Sequence, residues 1–208
     1  MFSSITETYS FLTGHNYEEF VYEYFKSYLM DKDINFYSIK VDCWKNDYPE
    51  ERKSSRSHNF ILKESSLDKE SLYLVEQPNG SQSWPDALFI HKNKGLPFEI
   101  KCGKNGKITW NSGFPKLDCV YLYNDTVTGK SSLFLGQHIV TQDIIDSHNQ
   151  YSEELYGLSE ALLKKYSFGN YFGYYLRDMW VDNFNYSKNP KRDEWTKETL
   201  EFIKTYWT

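Results

Sequence analysis

The chain has 208 residues, of which 39% are hydrophobic and 18% aromatic, and its formal net charge is -5 at pH 7. This length predicts a single domain, residues 1–208, with a sizeable core, and the aromatic content excludes a disordered protein. No segment reaches the ~20 apolar residues of a membrane span, the first residues lack the pattern of a signal peptide, and the three cysteines show no CxxC spacing. We therefore expect a cytoplasmic protein with reduced thiols and no membrane partner.

The first predicted element is a helix that follows Gly14 and His15. The segment YEEFVYEYFKSYLM carries apolar residues at helical spacing, including Val21, Phe25 and Leu29. The acids Glu18, Glu19 and Glu23 lie in its early turns, where a negative charge interacts favourably with the helix dipole. From their place near the start of the helix alone, these three acids are expected to face the solvent.

A strand is predicted near 35–41, where apolar and polar residues alternate, and another at 72–75. Between them lies a basic cluster in a serine-rich stretch, made of Arg52, Lys53, Arg56 and His58. Basic and hydroxyl side chains are those that contact DNA phosphates. The cluster is equally typical of a solvated loop, so both interpretations stay open.

The segment from Trp84 to Lys104 predicts a hairpin in which 88–90 pairs with 98–100 and Asn93-Lys94-Gly95 forms the turn. Because side chains alternate along a strand, Phe98, Ile100 and Cys102 are expected to face the core. Glu99 and Lys101 then lie together on the opposite face, with Asp86 close to them on the partner strand.

Two carboxylates that converge at a strand pair offer the hard oxygen ligands that Mg²⁺ prefers, with several waters kept. A lysine beside them is able to orient or deprotonate a water molecule and to stabilise negative charge on a phosphate. Between Ile90 and Lys130 there are seven lysines and three acids, so the segment around Asp86, Glu99 and Lys101 is locally basic in an acidic chain. Segregated charge of this kind favours a face that meets nucleic acid.

Several residues after Lys101 are candidate DNA contacts. Lys104 and Lys107 lie in a glycine-containing segment and are candidates for phosphate contacts, and Asn111 is a candidate for reading adenine. Arg177 lies in an aromatic-rich stretch that suits base stacking or guanine recognition, although ordinary aromatic core packing is the favoured explanation of that stretch. Two further strands are predicted at 118–123 and 132–135, and helices near 141–145, 152–165 and 194–207.

The pattern Pro85-Asp86, twelve intervening residues and then Glu99-Ile100-Lys101 resembles the PD-(D/E)XK nuclease superfamily, in particular type II restriction endonucleases. The likeness extends over roughly Leu72 to Ser147. It implies an α/β, restriction-endonuclease-like fold, with a mixed central sheet of about five strands flanked by helices and the motif on a central hairpin. It further implies that Asp86 and Glu99 bind Mg²⁺, with the carbonyl of Ile100 as a third ligand, and that Lys101 positions the attacking water.

The same resemblance implies a further acid from the N-terminal helix, for which Glu19 is the first candidate, followed by Glu23 and Glu18. The implied activity is that of a Mg²⁺-dependent type II site-specific deoxyribonuclease. It hydrolyses double-stranded DNA at a short sequence and acts as a homodimer on palindromic sites. The alternatives are another PD-(D/E)XK nuclease (repair, phage or junction-resolving), a non-catalytic DNA-binding protein of the same fold, or an unrelated interaction protein in which Glu99 and Lys101 form only a surface ion pair.

Overall fold

A mixed β-sheet lies at the centre of the protein, as a computed structural model shows for residues 1–8, 10–31, 35–55, 60–62, 65–80, 83–110, 114–166, 180–181, 185–186 and 188–206. In chain order the elements are α1 (Phe2–Glu7), α2 (His15–Met30), β1 (Phe36–Ile39), α3 (Val41–Asp47), α4 (Pro49–Ser55), β2 (Leu72–Glu76), β3 (Ala87–His91), β4 (Lys94–Gly103), β5 (Thr109–Trp110), β6 (Val120–Asp125), β7 (Ser131–Leu135), α5 (Gln142–Lys165), β8 (Trp180–Val181) and α6 (Arg192–Tyr206).

The main sheet has six strands in the order β1-β2-β3-β4-β6-β7. β1 runs parallel to β2 and β4 runs parallel to β6, whereas the other neighbours are antiparallel. The short strands β5 and β8 form a separate antiparallel pair. The predicted α/β class with a mixed, helix-flanked sheet is therefore confirmed, with one strand more than expected, and the β3–β4 hairpin occupies the middle of the sheet.

Because side chains alternate along a strand, neighbouring residues of the same strand pack into different hydrophobic clusters on the two faces of the sheet. Phe89, Phe98 and Ile100 face a cluster that also contains buried residues of α1, α2 and α6. Leu88 and Ile90 lie in a second cluster, on the other face, together with Trp44 of α3. On that same face the third cluster is built largely from aromatic rings, which are those of Trp110, Tyr121, Tyr123, Phe134, Tyr186 and Trp195. Many of the aromatic rings in the described part of the chain thus fill the space on both sides of the sheet.

The hairpin register differs from the prediction. The turn consists of Lys92 and Asn93, both with positive φ (49° and 60°), as in the two-residue turns that suit twisted strands. Lys94 and Gly95 already belong to β4, and Leu88 pairs with Pro97. The predicted turn at Asn93-Lys94-Gly95 and the pairing of 88–90 with 98–100 are therefore wrong. As a consequence, residues 99–101 extend past the end of β3 and pair only with β6.

Two of the helices agree with the prediction and the others differ from it. The helix after Gly14 and the C-terminal helix form as expected, the latter as Arg192–Tyr206. The two helical stretches expected near 141–145 and 152–165 are one continuous helix, Gln142–Lys165. α1, α3 and α4 were not predicted. None of the helices in the described part of the chain has the length and apolar character required to cross a membrane.

Candidate functional site

The end of the β3–β4 pairing brings the predicted acids together. Ala87 pairs directly with Phe98. Asp86 precedes Ala87 and Glu99 follows Phe98, so the two acids are neighbours across the antiparallel pair. Glu99 and Lys101 alternate with core residues along β4 and therefore share the face opposite to Ile100. The hairpin thus holds two acids and an amine at one edge of the central strands.

Three hydrogen bonds define the geometry of this group. The backbone N–H of Asp86 donates to Oε2 of Glu99 (3.2 Å), and the backbone N–H of Ile100 donates to Oδ2 of Asp86 (2.7 Å). The ammonium of Lys101 lies 2.6 Å from Oε1 of Glu99. Each carboxylate is thus held by a main-chain amide of the opposite strand, so the two acids lie on the same side of the sheet with their side chains fixed.

The two acids interact strongly through their charges. Burial, followed by the negative charge of Glu99, raises the pKa of Asp86 to about 7. The Ile100 amide and the Lys101 ammonium act in the opposite direction. Asp86 therefore keeps its proton to a much higher pH than an ordinary carboxyl group does, which is typical of functional sites.

Lys101 remains a cation in this environment. Burial by itself lowers the pKa of its ammonium, but the charge and hydrogen bond of Glu99, and then the charge of Asp86, outweigh this effect and raise the pKa above its ordinary value. A lysine of this kind donates hydrogen bonds and supplies positive charge. It is not poised to remove a proton from water, so of the two roles expected from the sequence the site favours the orienting one.

The donor set fits a divalent cation with oxygen ligands. Asp86 and Glu99 contribute four carboxylate oxygens, and their mutual repulsion in a buried setting is relieved by a cation between them. Within the described residues, no group of three or more His, Cys, Asp or Glu side chains comes together as a metal cluster. Two carboxylates with retained waters nevertheless match the way proteins bind Mg²⁺. The described contact of Ile100 is through its N–H, and its carbonyl as a ligand stays a prediction.

Among the acids of α2, the structure places Glu18 rather than Glu19 near the pair. The Glu19 side chain is 63% exposed and its carboxylate lies 3.2 Å from the ring of His15. Glu18 is 23% exposed and close enough to contribute to the raised pKa of Asp86. Glu23 is bound to Lys26 at 2.8 Å. Glu19 was the first candidate from the sequence, and its role as a site acid stays a prediction.

Tyr22 is a site residue that sequence reasoning missed. Its hydroxyl donates a hydrogen bond to the main-chain carbonyl of Asp86 (2.8 Å), and the N–H of Gln77 donates to the same oxygen (2.7 Å). Burial, followed by the negative charge of Asp86, raises the pKa of Tyr22 far above its ordinary value, so the hydroxyl keeps its proton. Glu18 and Tyr22 are spaced i, i+4, which puts them on one face of the helix; that spacing was the available signal.

An ion cluster around the buried carboxylate of Glu76 lies beside the site and was also missed. Oε1 of Glu76, at the end of β2, is 2.7 Å from the ammonium of Lys26, and its Oε2 is 2.6 Å from that of Lys40. The hydroxyl of Ser38 donates to Oε1 of the same carboxylate. Because Glu76 pairs with Ala87 in the sheet, this cluster connects α2 and β1 to the strand that carries Asp86.

The candidate DNA contacts are described only in part. Lys104 and Lys107 are both exposed, in the connection that follows the end of β4 at Gly103. The connection is tightly folded, because a Cβ atom on Gly103 would lie 2.0 Å from the carbonyl oxygen of Lys107. Arg52 lies on α4 and is half-buried. Arg56, Asn111 and Arg177 fall outside the described residues, so their predicted roles stay predictions.

No family model, curated protein or solved structure matches this chain. The chemistry of the site is therefore what supports a function.

Proposed function

We propose that the protein is a Mg²⁺-dependent nuclease of the PD-(D/E)XK type that hydrolyses phosphodiester bonds of double-stranded DNA, and that it acts as a type II restriction endonuclease at a short specific sequence. One observation on the central hairpin carries the proposal. Main-chain amides hold the carboxylates of Asp86 and Glu99 side by side, and the Lys101 ammonium lies 2.6 Å from Glu99. A mixed sheet with the motif in its middle is also what the resemblance to this superfamily implies.

The residues divide the chemistry between them. Asp86 and Glu99 would hold Mg²⁺, which when bound supplies a Lewis acid for the phosphate and lowers the pKa of a coordinated water. Lys101, as a cation, donates a hydrogen bond that orients the attacking water and offsets charge growing on the phosphate. Asp86 must lose its proton to serve as a ligand, and its pKa of about 7 makes this loss pH-dependent close to neutrality. Glu18 completes the acidic environment from α2.

The surrounding surface suits a polyanion. Lys104 and Lys107 follow the motif on an exposed connection and would contact backbone phosphates on either side of the cleaved bond. Since restriction sites are commonly palindromic, a homodimer would match the two-fold symmetry of such a site.

Digestion of a supercoiled plasmid tests the proposal. The wild-type protein is expected to produce discrete fragments with Mg²⁺ and none with EDTA. Lys101→Met should reduce the rate at least a hundredfold, because positioned charges of this kind contribute about 10²–10³ to turnover. Lys204→Met removes an exposed lysine from α6 and should leave the rate within twofold.

The same assay separates the alternatives. Smeared or nicked products that depend on Mg²⁺ indicate a PD-(D/E)XK nuclease without sequence specificity. Retention of the plasmid in a gel-shift assay without any cleavage indicates a DNA-binding protein that keeps the fold. Neither cleavage nor binding, with any divalent metal, would overturn the proposal.

A further inference from the structure

Two lysines lie at the ends of a tight turn just after β4. Its central residues Asn105 and Gly106 both have positive φ (59° and 72°), and the N–H of Lys107 donates to the carbonyl of Lys104 over 3.4 Å. These are the features of a type I′ turn. A turn of this kind brings its first and last Cα atoms within about 7 Å of each other, so two exposed lysines are held side by side.

A segment from far along the chain is fixed against this turn. The N–H of Tyr186 donates to the carbonyl of Gly106 (2.8 Å), and the side-chain amide of Asn185 donates to the carbonyl of Asn105 (3.1 Å). Tyr186 is itself buried, and the hydroxyl of Ser132 donates to its carbonyl over 2.8 Å. Both main-chain polar groups of Tyr186 are thus bonded, so the segment is anchored firmly beside the turn.

The same segment brings a third lysine to the turn. The N–H of Lys188 donates over 2.9 Å to the side-chain oxygen of Asn185, whose amide binds the carbonyl of Asn105. Lys188 is exposed. Three lysines from two distant parts of the sequence therefore lie around one turn. We call this group, Lys104, Lys107 and Lys188, the three-lysine site.

The acids near this site have other partners. Asp125, which lies across from the end of β4, is 1% exposed, and its carboxylate accepts two main-chain N–H groups of the β6–β7 turn. At the start of α6, Asp193 is bound to Arg192, and the charge of Glu194 acts on His138. In the part of the chain that the structure describes, no ion pair joins a lysine of the site to a carboxylate. The site therefore offers three like charges for which an external anion is the counterpart.

The open position of the site indicates a polyanion. An ion pair exposed to water is worth only about 1 kcal/mol at ~4 Å, so a lone phosphate ion would be held weakly. Along a nucleic acid backbone, by contrast, every lysine that meets a phosphate releases condensed counterions and adds to the affinity. Lys104 follows Lys101 by three residues, or about 10 Å at ~3.3 Å per residue. Because each DNA strand carries one phosphate per ~3.4 Å of helix axis, this is a distance of about three nucleotides.

We propose that the three-lysine site binds the phosphate backbone of DNA within about three nucleotides of the cleaved bond, and that Lys188 is a DNA contact supplied by the anchored segment. The turn and the segment are fixed to each other before DNA binds, so little conformational freedom is lost on binding. The inference rests on the proposed function only for the identity of the ligand, because it concerns binding and not the metal-dependent reaction.

The salt dependence of DNA binding tests the site. Fluorescence anisotropy of the full chain with a labelled duplex of about 30 base pairs, in EDTA and at several KCl concentrations, gives the slope of log K against log salt. Lys188→Met is expected to weaken binding to unrelated sequences equally and to reduce the slope by about 0.9, as are Lys104→Met and Lys107→Met. Lys92→Met is the matched control, since Lys92 is an exposed lysine in the tight turn at the opposite end of β4, and it should leave the slope unchanged.

The outcomes separate this inference from the proposed activity. Circular dichroism establishes that each variant is folded. An unchanged slope for Lys188→Met would overturn the inference even in a protein that cleaves DNA, and so would a wild-type protein that does not bind the duplex. The expected slopes in a protein that shows no Mg²⁺-dependent cleavage would support the three-lysine site and count against the nuclease.

Discussion

The hydroxyl of Tyr22 donates a hydrogen bond to the main-chain carbonyl of Asp86 over 2.8 Å, so helix α2 fixes the backbone of the residue whose carboxylate faces Glu99. Tyr22→Phe keeps the buried ring and removes only this bond. We expect a loss of about 1 kcal/mol in the free energy of unfolding, the typical net value for one hydrogen bond, together with slower DNA cleavage.

Urea denaturation measures the first effect and plasmid digestion the second. Tyr24→Phe, on the same helix, is the control and should change neither quantity appreciably. A Tyr22→Phe variant with unchanged stability and unchanged cleavage would contradict a positioning role for the hydroxyl.

Asp86 should make the metal-free protein less stable as the pH rises. Its pKa is raised to about 7 in the folded state, whereas an unfolded aspartate titrates near ~3.9. Between these values the unfolded chain releases a proton that the folded chain keeps, so the stability of the folded state declines with rising pH and levels off above pH 7. The Asp86→Asn variant has no carboxyl group to titrate at this position, and its amide oxygen is still able to accept the hydrogen bond from the N–H of Ile100.

Thermal unfolding in EDTA tests this linkage. At pH 8 the Asp86→Asn variant should be more stable than the wild type by on the order of 3 kcal/mol, and near pH 4 the difference should vanish. A difference that is the same at both pH values would show that Asp86 is not buried beside a second negative charge.

Glu18 and Glu19 form a matched pair for testing which helix acid belongs to the site. Glu18→Gln removes a negative charge that helps to raise the pKa of Asp86, so the pH at which cleavage falls to half its maximum should move to lower values. Glu19→Gln removes an exposed charge bound to His15 and should leave the profile unchanged. The reverse outcome would restore Glu19 as the site residue.

The ion cluster around Glu76 should contribute to stability. Burial alone would raise the pKa of Glu76, but the hydrogen bonds and charges of Lys26 and Lys40 outweigh this and lower it. Because the folded pKa lies below that of the unfolded chain, the contribution is present above the unfolded pKa of ~4.3 and is lost as the pH falls through the folded value.

Glu76→Gln is therefore expected to lower the free energy of unfolding by roughly 2 kcal/mol at pH 7, and by less at pH 3.5. Glu23→Gln is a close control, because Glu23 binds the same Lys26 but is 73% exposed. Its effect should stay within about 0.5 kcal/mol. Equal effects of the two substitutions in chemical denaturation would argue against a buried cluster.

The parts of the site that follow from local geometry were predictable. Alternation along a strand has a period of two, so the separation of Phe98, Ile100 and Cys102 from Glu99 and Lys101 needed no tertiary information. The turn was missed because Lys92 and Asn93 both adopt positive φ, which Lys seldom does, while the nearby Gly95 suggested a turn and instead lies inside β4.

The other features of the site depend on contacts between residues distant in the chain. The choice between Glu18 and Glu19 depends on how α2 is rotated against the sheet, and the bond from Tyr22 to Asp86 spans 64 residues. The polar residues from Ser147 to Gln150 broke the apolar pattern and split the predicted helix. Such residues are tolerated in α5 because the helix buries none of its side chains.

The central claim is that Asp86 and Glu99 together bind a divalent cation. Calorimetric titration of Mg²⁺, and of Mn²⁺ as a tighter-binding substitute, into the wild-type protein at pH 8 tests it most directly. We predict one site per chain, weakened at least tenfold in Asp86→Asn and in Glu99→Gln but unchanged in Glu19→Gln. Binding of neither metal to the wild type, or binding that both substitutions leave intact, would contradict the claim.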